Sequence, residues 1–513
     1  MTHNSPGTYS TPVISFRSWV THLSGSNPPV HILDDDSLLN IFYLYRPDIL
    51  ADVDIDVRAG DLDPPKWGEW TRERWWHKLT HVCQRWRRLI FVSASYLGLC
   101  LVCTYGTPVA KLLRCFPTLP IVLDYTRETL RWTVKDGDGI LLALQQHAWV
   151  RRIRLFVPPS HEVELVKAME MEFSVLEYLY IGFSDRGELR PDLEIHRTFQ
   201  APRLRHLVLT RCPFLVTSPS LTTCAGLVTL SLMFLSPQSC HHPYDLFRRL
   251  SLLIQLVVLR IGDLDFSTNE LEEQQLDISL NIPLTLPNLR LFEFAGHSNY
   301  LETLLPWITT PHLEKFQTTF APHLTIPTPP YSLLFLLPFL RKSDVLGFGS
   351  AKFLFAGSGA TAWVYPREGA RLYVFYLRII TRPLGLQVSE MAEIFRDLGP
   401  AFSTVDHLTV DYSNHNPFER AIPVEWRDLL RSFNHVKTLR VHGLFAKSFS
   451  QSLLSDGEPL PEVLPELQVL ECPVGCDASD ALATFVNVRN AADYPIRLVL
   501  VDSPEHSSAN TSL

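Results

Sequence analysis

The chain has 513 residues, 46% hydrophobic and 11% aromatic, so most of it can fold around a substantial core. Its formal net charge of −8 argues against a globally basic nucleic-acid binder. The longest apolar runs, such as "YSLLFLLPFL" (331–340), fall short of the roughly 20 residues a spanning helix needs, and the scattered cysteines form no framework. These features lead to the expectation of a soluble intracellular protein, cytoplasmic and/or nuclear, with no membrane and no nucleic-acid partner.

Residues 1–28 are rich in Ser, Thr, Asn and Pro and read as a disordered tail, as do residues 503–513. In 29–45 the capping oxygens of "DDDS" precede Leu38, Leu39, Ile41, Phe42 and Leu44, which predicts a short helix. The acidic insert 46–70 contains Pro64 and Pro65, which bar a continuous helix. It lacks the ligand order, central Gly and terminal Glu of a calcium loop, so a solvated loop is expected. "WWHKLTHVCQRWRRLIF" (75–91) comes next, with apolar residues at helical spacing: Trp76, Leu79, Val82, Cys83, Trp86, Leu89 and Ile90 are expected on one side of a helix. Residues 29–100 are thus expected to form a helical domain, with 101–145 as a region connecting it to the rest of the chain.

From about residue 146 to 502 a six-residue pattern recurs, apolar at its first, fourth and sixth places. It reads "VRRIRL" (150–155), "LEYLYI" (176–181), "LRHLVL" (204–209), "LVTLSL" (227–232), "LVVLRI" (256–261) and "LRLFEF" (289–294), spaced by 26, 28, 23, 29 and 33 residues. It returns in "LYVFYL" (372–377), "VDHLTV" (405–410), "VKTLRV" (436–441) and "LQVLEC" (467–472). "LEKFQT" (313–318) and "AKFLFAG" (351–357) fill much of the gap. Helix-like segments lie between them, as in "YDLFRRLSLL" (244–253) and "VEWRDLLRSF" (424–433). Alternation at this spacing builds an α/β solenoid with a parallel sheet, stabilised by stacked neighbours.

Catalytic and metal patterns are scarce. "CLVC" (100–103) sits in an apolar strand-like run without a second pair, so a structural role is expected. "CHH" (240–242) and "CPVGC" (472–476) lack partner ligands, and the glycines of 347–360 match no phosphate loop. No cofactor, no metal and no catalytic residue is called for, and the expectation is a protein that is not an enzyme.

Two resemblances emerge. The "LxxLxL" units resemble leucine-rich repeats in a degenerate form. The N-terminal region resembles an F-box: Leu33, Leu38, Ile41 and Phe42 match its first helix, and Val82, Cys83, Trp86, Arg87, Leu89 and Ile90 match its closing "VCxxWRxLI". Asp34 stands where that family usually has Pro, and the acidic insert lengthens the domain. Together with "YGTPVAKLLRCFPTLPIVLDY" (105–125), the arrangement is similar to fungal F-box proteins with leucine-rich-repeat-like C-terminal regions.

The resemblance implies a substrate-recognition subunit of a Skp–cullin–F-box type ubiquitin ligase. The Skp adaptor, and a cullin through it, would be held by Leu33, Leu38, Leu39, Ile41, Phe42, Leu79, Val82, Cys83, Trp86, Leu89 and Ile90. An unknown protein substrate would lie on the repeats. Strand alternation turns the third and fifth places toward the concave face, which nominates His206, Arg260, Glu293, His407, Arg440 and Glu471. The alternative is a ligase-independent scaffold with a degenerate F-box.

Overall fold

The computed structural model describes residues 33–46, 74–126, 132–183, 199–211, 223–233, 243–262, 284–320, 333–342, 347–367, 373–381, 384–412, 423–442, 449, 463–473 and 479–501. The expected tails at 1–28 and 503–513, the acidic insert beyond Arg46, and "CHH" lie outside the described residues. Two units are present, one ending at Cys100 and one running from Leu101 onward.

The first unit is helical: α1 (Asp35–Tyr45), α2 (Trp75–Thr80), α3 (Gln84–Val92) and α4 (Ala94–Leu97). Asp34 caps α1, accepting a bond from the Ser37 N–H at 2.6 Å. Proline has no side-chain acceptor, so the departure from the family pattern at this position supplies a helix cap. The single helix expected over "WWHKLTHVCQRWRRLIF" is instead broken at His81–Cys83. Thr80 bends its hydroxyl back to the His77 carbonyl, and Arg87 Nε donates to the Thr80 carbonyl at 2.9 Å, so α3 satisfies the end of α2. Cys83 then opens α3, its Sγ accepting from the Trp86 N–H. The turn ends with Gly98 at φ 61°, where a Cβ would be strained.

Among the described residues, the second unit is built on one sheet of 16 strands. In chain order the strands are β1 (Leu101–Cys103), β2 (Ile121–Tyr125), β3 (Val150–Val157), β4 (Tyr178–Phe183), β5 (His206–Thr210) and β6 (Thr229–Met233). Next come β7 (Val258–Gly262), β8 (Leu284–Thr285), β9 (Leu291–Gly296), β10 (Ile308–Thr309), β11 (Lys315–Phe320) and β12 (Phe348–Ala356). The last are β13 (Gly359–Pro366), β14 (Phe375–Ile379), β15 (His407–Tyr412), β16 (Thr438–Val441), β17 (Val469–Pro473) and β18 (Arg497–Val501). β8 and β10 pair separately. The connecting region expected over 101–145 therefore carries the first two strands of the sheet. Helices α5 (Val109–Cys115), α6 (Val134–Leu144), α7 (Glu162–Ala168), α8 (Pro243–Leu250), α9 (Ser298–Leu304), α10 (Leu336–Lys342), α11 (Leu384–Leu398), α12 (Pro423–Leu430) and α13 (Ser479–Ala491) lie between strands.

Pairing is parallel except at one place. After β11 the chain runs ahead to β12, turns back through antiparallel β13, and only then lays β14 against β11. The "FYL" end of "LYVFYL" thus opens a strand in the sheet, but a hairpin delivers it. Gly359 makes this hairpin possible: at φ 150° it lies against the Ile379 carbonyl, which a Cβ would strike. Gln387 of α11 ties the reversal down, donating to the carbonyls of Ala356 and Thr381, each at 2.8 Å.

The repeat is longer than its six-residue signature. The first apolar residue donates its N–H to the carbonyl three places earlier, at 3.0–3.4 Å, in a turn that aims the chain into the strand. Those earlier residues are Phe173, Ala201, Cys224, Leu253, Leu286, Thr310, Phe402, Phe433 and Leu464, all buried. Fourth and sixth places also point into this core, where Phe316 meets Phe339 of α10, Phe353 meets Phe395 of α11 and Phe355 meets Trp426 of α12. Each such fully buried side chain contributes roughly 2–3 kcal/mol.

Candidate protein-interaction surfaces

The two halves of the F-box-like pattern meet in the helical unit. Phe42 and Trp86 pack edge to face with centroids 4.8 Å apart, and Arg85 bridges to Asp35 at 2.7 Å while donating to the Leu33 carbonyl. Of the nominated adaptor residues, Leu38, Phe42 and Ile90 are buried. Leu39, Leu79, Cys83, Trp86 and Leu89 are half-buried, and Leu33, Ile41 and Val82 are exposed. They do not form one stripe, because the break at His81–Cys83 turns Val82 outward.

Sequence reasoning missed most of the exposed apolar surface of this unit. Leu44, Val92, Tyr43 and Tyr96 are all exposed. An open groove of about 640 Å³ is lined by Asp36, Leu39, Asn40, Val92, Ser93, Ser95 and Tyr96. Tyr96 donates to Asn40 Oδ1 at 3.2 Å, which fixes the ring beside the groove. Val92 lies just beyond the closing motif, and its spacing from Leu89 gave no sign that it faces outward. At the rim of α1, the N–H and hydroxyl of Ser37 hold the Asp34 carboxyl below the usual range.

On the sheet, third and fifth places lie on the face turned away from the helices. Ion pairs join strands across it, among them Arg154–Asp124 (3.8 Å), Arg260–Glu293 (3.0 Å), Lys352–Asp411 (3.5 Å) and Arg440–Glu471 (3.9 Å). Four of the six nominated residues are therefore each other's partners. His206 lies beside Thr229 and Tyr178, its imidazole pushed down to about 4 by burial and by Arg152 and Arg205. His407 is exposed and meets Asp406 at 2.6 Å.

Accessibility changes along this face. The Arg154 and Arg260 side chains are 2% and 11% exposed, whereas Lys352 and Arg440 are 40% and 31% exposed. The part a partner can touch therefore begins near the β12–β14 reversal, so His407, Arg440 and Glu471 are accessible while His206, Arg260 and Glu293 are largely covered. The same rule applied to "VRRIRL" would have added Arg154, whereas in "AKFLFAG" the third and fifth places are the buried Phe353 and Phe355, and Lys352 lies between inward residues one place out of phase. The antiparallel strand that brings Trp363 to this face had no repeat signature.

Cys100 and Cys103 of "CLVC" are buried, and so is Cys472. Among the described residues no group of three or more His, Cys, Asp or Glu is gathered to hold a metal, and no helix is long and apolar enough to cross a membrane.

No family model matches the chain, and no curated protein matches it. Among solved structures it is similar to the leucine-rich repeat-containing protein LegL7 from Legionella pneumophila, at 13% identity and a TM-score of 0.26, over 68% of this chain and 94% of that one.

Proposed function

We propose that the chain is a non-catalytic substrate-recognition subunit of a Skp–cullin–F-box type ubiquitin ligase. Its helical unit docks the Skp adaptor, and its repeat unit recruits a protein substrate. The observation that carries this reading is the first unit itself: motif residues Leu38, Phe42, Trp86 and Ile90 hold its helices together, while Ile41, Leu44, Val82, Val92 and Tyr96 stay exposed. Exposed aliphatic and aromatic side chains clustered on so small a unit suit a permanent protein partner. The paired charges across the sheet suit an interaction surface rather than a reaction centre.

Affinity purification of the tagged full-length chain tests this. Adaptor and cullin should co-purify with the wild type and be lost with Leu44→Asp plus Val92→Asp, which place charge on exposed positions and spare the interior.

A second reading, a ligase-independent scaffold, is favoured by the burial of Leu38, Phe42 and Ile90, which serve the unit's own core. Recovery of other proteins without any cullin component would decide for it.

A further inference from the structure

We propose that the β12–β14 reversal builds the substrate-contact site of the repeat unit, and that its occupant is an acidic segment of a partner protein. Trp363 of β13 and Tyr376 of β14 lie side by side with centroids 6.0 Å apart, and Tyr373 adjoins Tyr376 at 5.7 Å. All three are half-buried. Parallel repeats supply one residue per strand to each row of this face. The reversal follows the same rule and inserts β13 into the row, so that Tyr376, Trp363 and Lys352 stand together on neighbouring strands.

Cations surround the rings. Lys315 Nζ stands 4.1 Å from the Tyr373 centroid and Lys352 Nζ 6.0 Å from that of Trp363, with Arg378 one step along β14 beyond its neighbour. Two carboxylates belong to the neighbourhood: Asp411, paired with Lys352, and Glu293, paired with Arg260. The cations Lys315, which is buried, Lys352, Arg378 and Arg260 outnumber the carboxylates Asp411 and Glu293, so the patch is positive on a chain of net charge −8. Flat amphipathic rings ringed by cations are complementary to an acidic chain that also carries apolar or aromatic side chains. A nucleic acid would share the stacking but bring unbroken negative charge against Asp411, which favours protein as the occupant.

This inference deepens the recruiting role proposed for the repeats and rests on it. Fluorescence anisotropy of a labelled glutamate–tyrosine copolymer, titrated with the full-length chain, tests it. Binding should be saturable, weaken with salt, and fall at least about tenfold in both Trp363→Ala and Lys352→Glu. Lys352 is partly exposed, so its variant stays folded, which circular dichroism checks, and decides the matter should Trp363→Ala unfold. The proposal is overturned if the wild type ignores the copolymer, if Lys352→Glu binds it unchanged, or if a thymidine oligonucleotide binds more tightly. Adaptor binding belongs to the other unit and is measured separately. Its survival beside a failed copolymer titration would remove this inference alone, and loss of both would remove the recruiting reading as well.

Discussion

Trp86 meets Phe42 edge-on at 4.8 Å, so one contact joins the two separated halves of the F-box-like pattern across the acidic insert. Phe42 is buried and Trp86 half-buried, so the pair works as the interior of the helical unit. Phe42→Ala should cost about 3–5 kcal/mol of that unit's stability. Hydrogen exchange at residues 38–45 and 84–92 should accelerate, with amides of the central sheet unchanged.

Arg489 of α13 is buried and donates to the carbonyls of Val463 and Leu464 at 3.0 and 3.1 Å. Leu464 sits at φ 52°, an unusual conformation for a non-glycine residue, so the guanidinium fixes a constrained turn. Arg489→Met should strip the guanidinium from the Val463 carbonyl and leave the Leu464 carbonyl with the Leu467 N–H, at a cost of roughly 2–4 kcal/mol in urea unfolding. Arg489→Lys should fall between the two, because an ammonium does not reproduce the planar fork.

Gly359→Ala should disable the reversal. An alanine Cβ would collide with the Ile379 carbonyl and would need a φ that L-residues rarely adopt. Destabilisation above about 2 kcal/mol is expected, with loss of copolymer binding in whatever fraction remains folded.

Glu390 gives a pH signature. Burial, and then the nearby Glu393, push its carboxyl up to about 7 from an ordinary 4.5. The folded state therefore holds a proton that the unfolded state has released between these values. Stability from this group is fully present below about 4.5 and is lost as pH rises through about 7. Glu390→Gln should raise the melting temperature at pH 8 and leave it nearly unchanged at pH 4.5. His206 acts oppositely: its folded value near 4 lies below the ordinary 6.5, so stability falls as pH drops through that window. Scanning calorimetry of Glu390→Gln and His206→Gln at several pH values separates the two.

Much of the sheet was legible because strand geometry repeats in sequence. Leu207 and Leu209, or Leu439 and Val441, alternate as a one-sided strand must, and the parallel strands from β3 to β17 in the main sheet fall where the pattern placed them, whereas β1, β2 and β18 carried no such string. The buried residue three places earlier escaped notice because its identity drifts among Phe, Ala, Cys, Leu and Thr. The recurring Pro that comes directly after it, at Pro202, Pro287, Pro311 and Pro465, was the available clue. The reversal was not legible, since Phe375 and Leu377 satisfy the same alternation whichever direction their neighbour runs. In the helical unit, spacing identified the residues, but the Arg87 bond to Thr80 that breaks the helix joins side chain to backbone and leaves no periodic trace.

The proposed role stands or falls with an adaptor-binding surface on the helical unit. Interferometry with immobilised, purified Skp adaptor and the full-length chain tests it most directly. Saturable binding is expected, which Leu44→Asp plus Val92→Asp weakens at least about tenfold while the melting curve stays in place. An inert wild type, or a double variant that binds as well as the wild type, would contradict it.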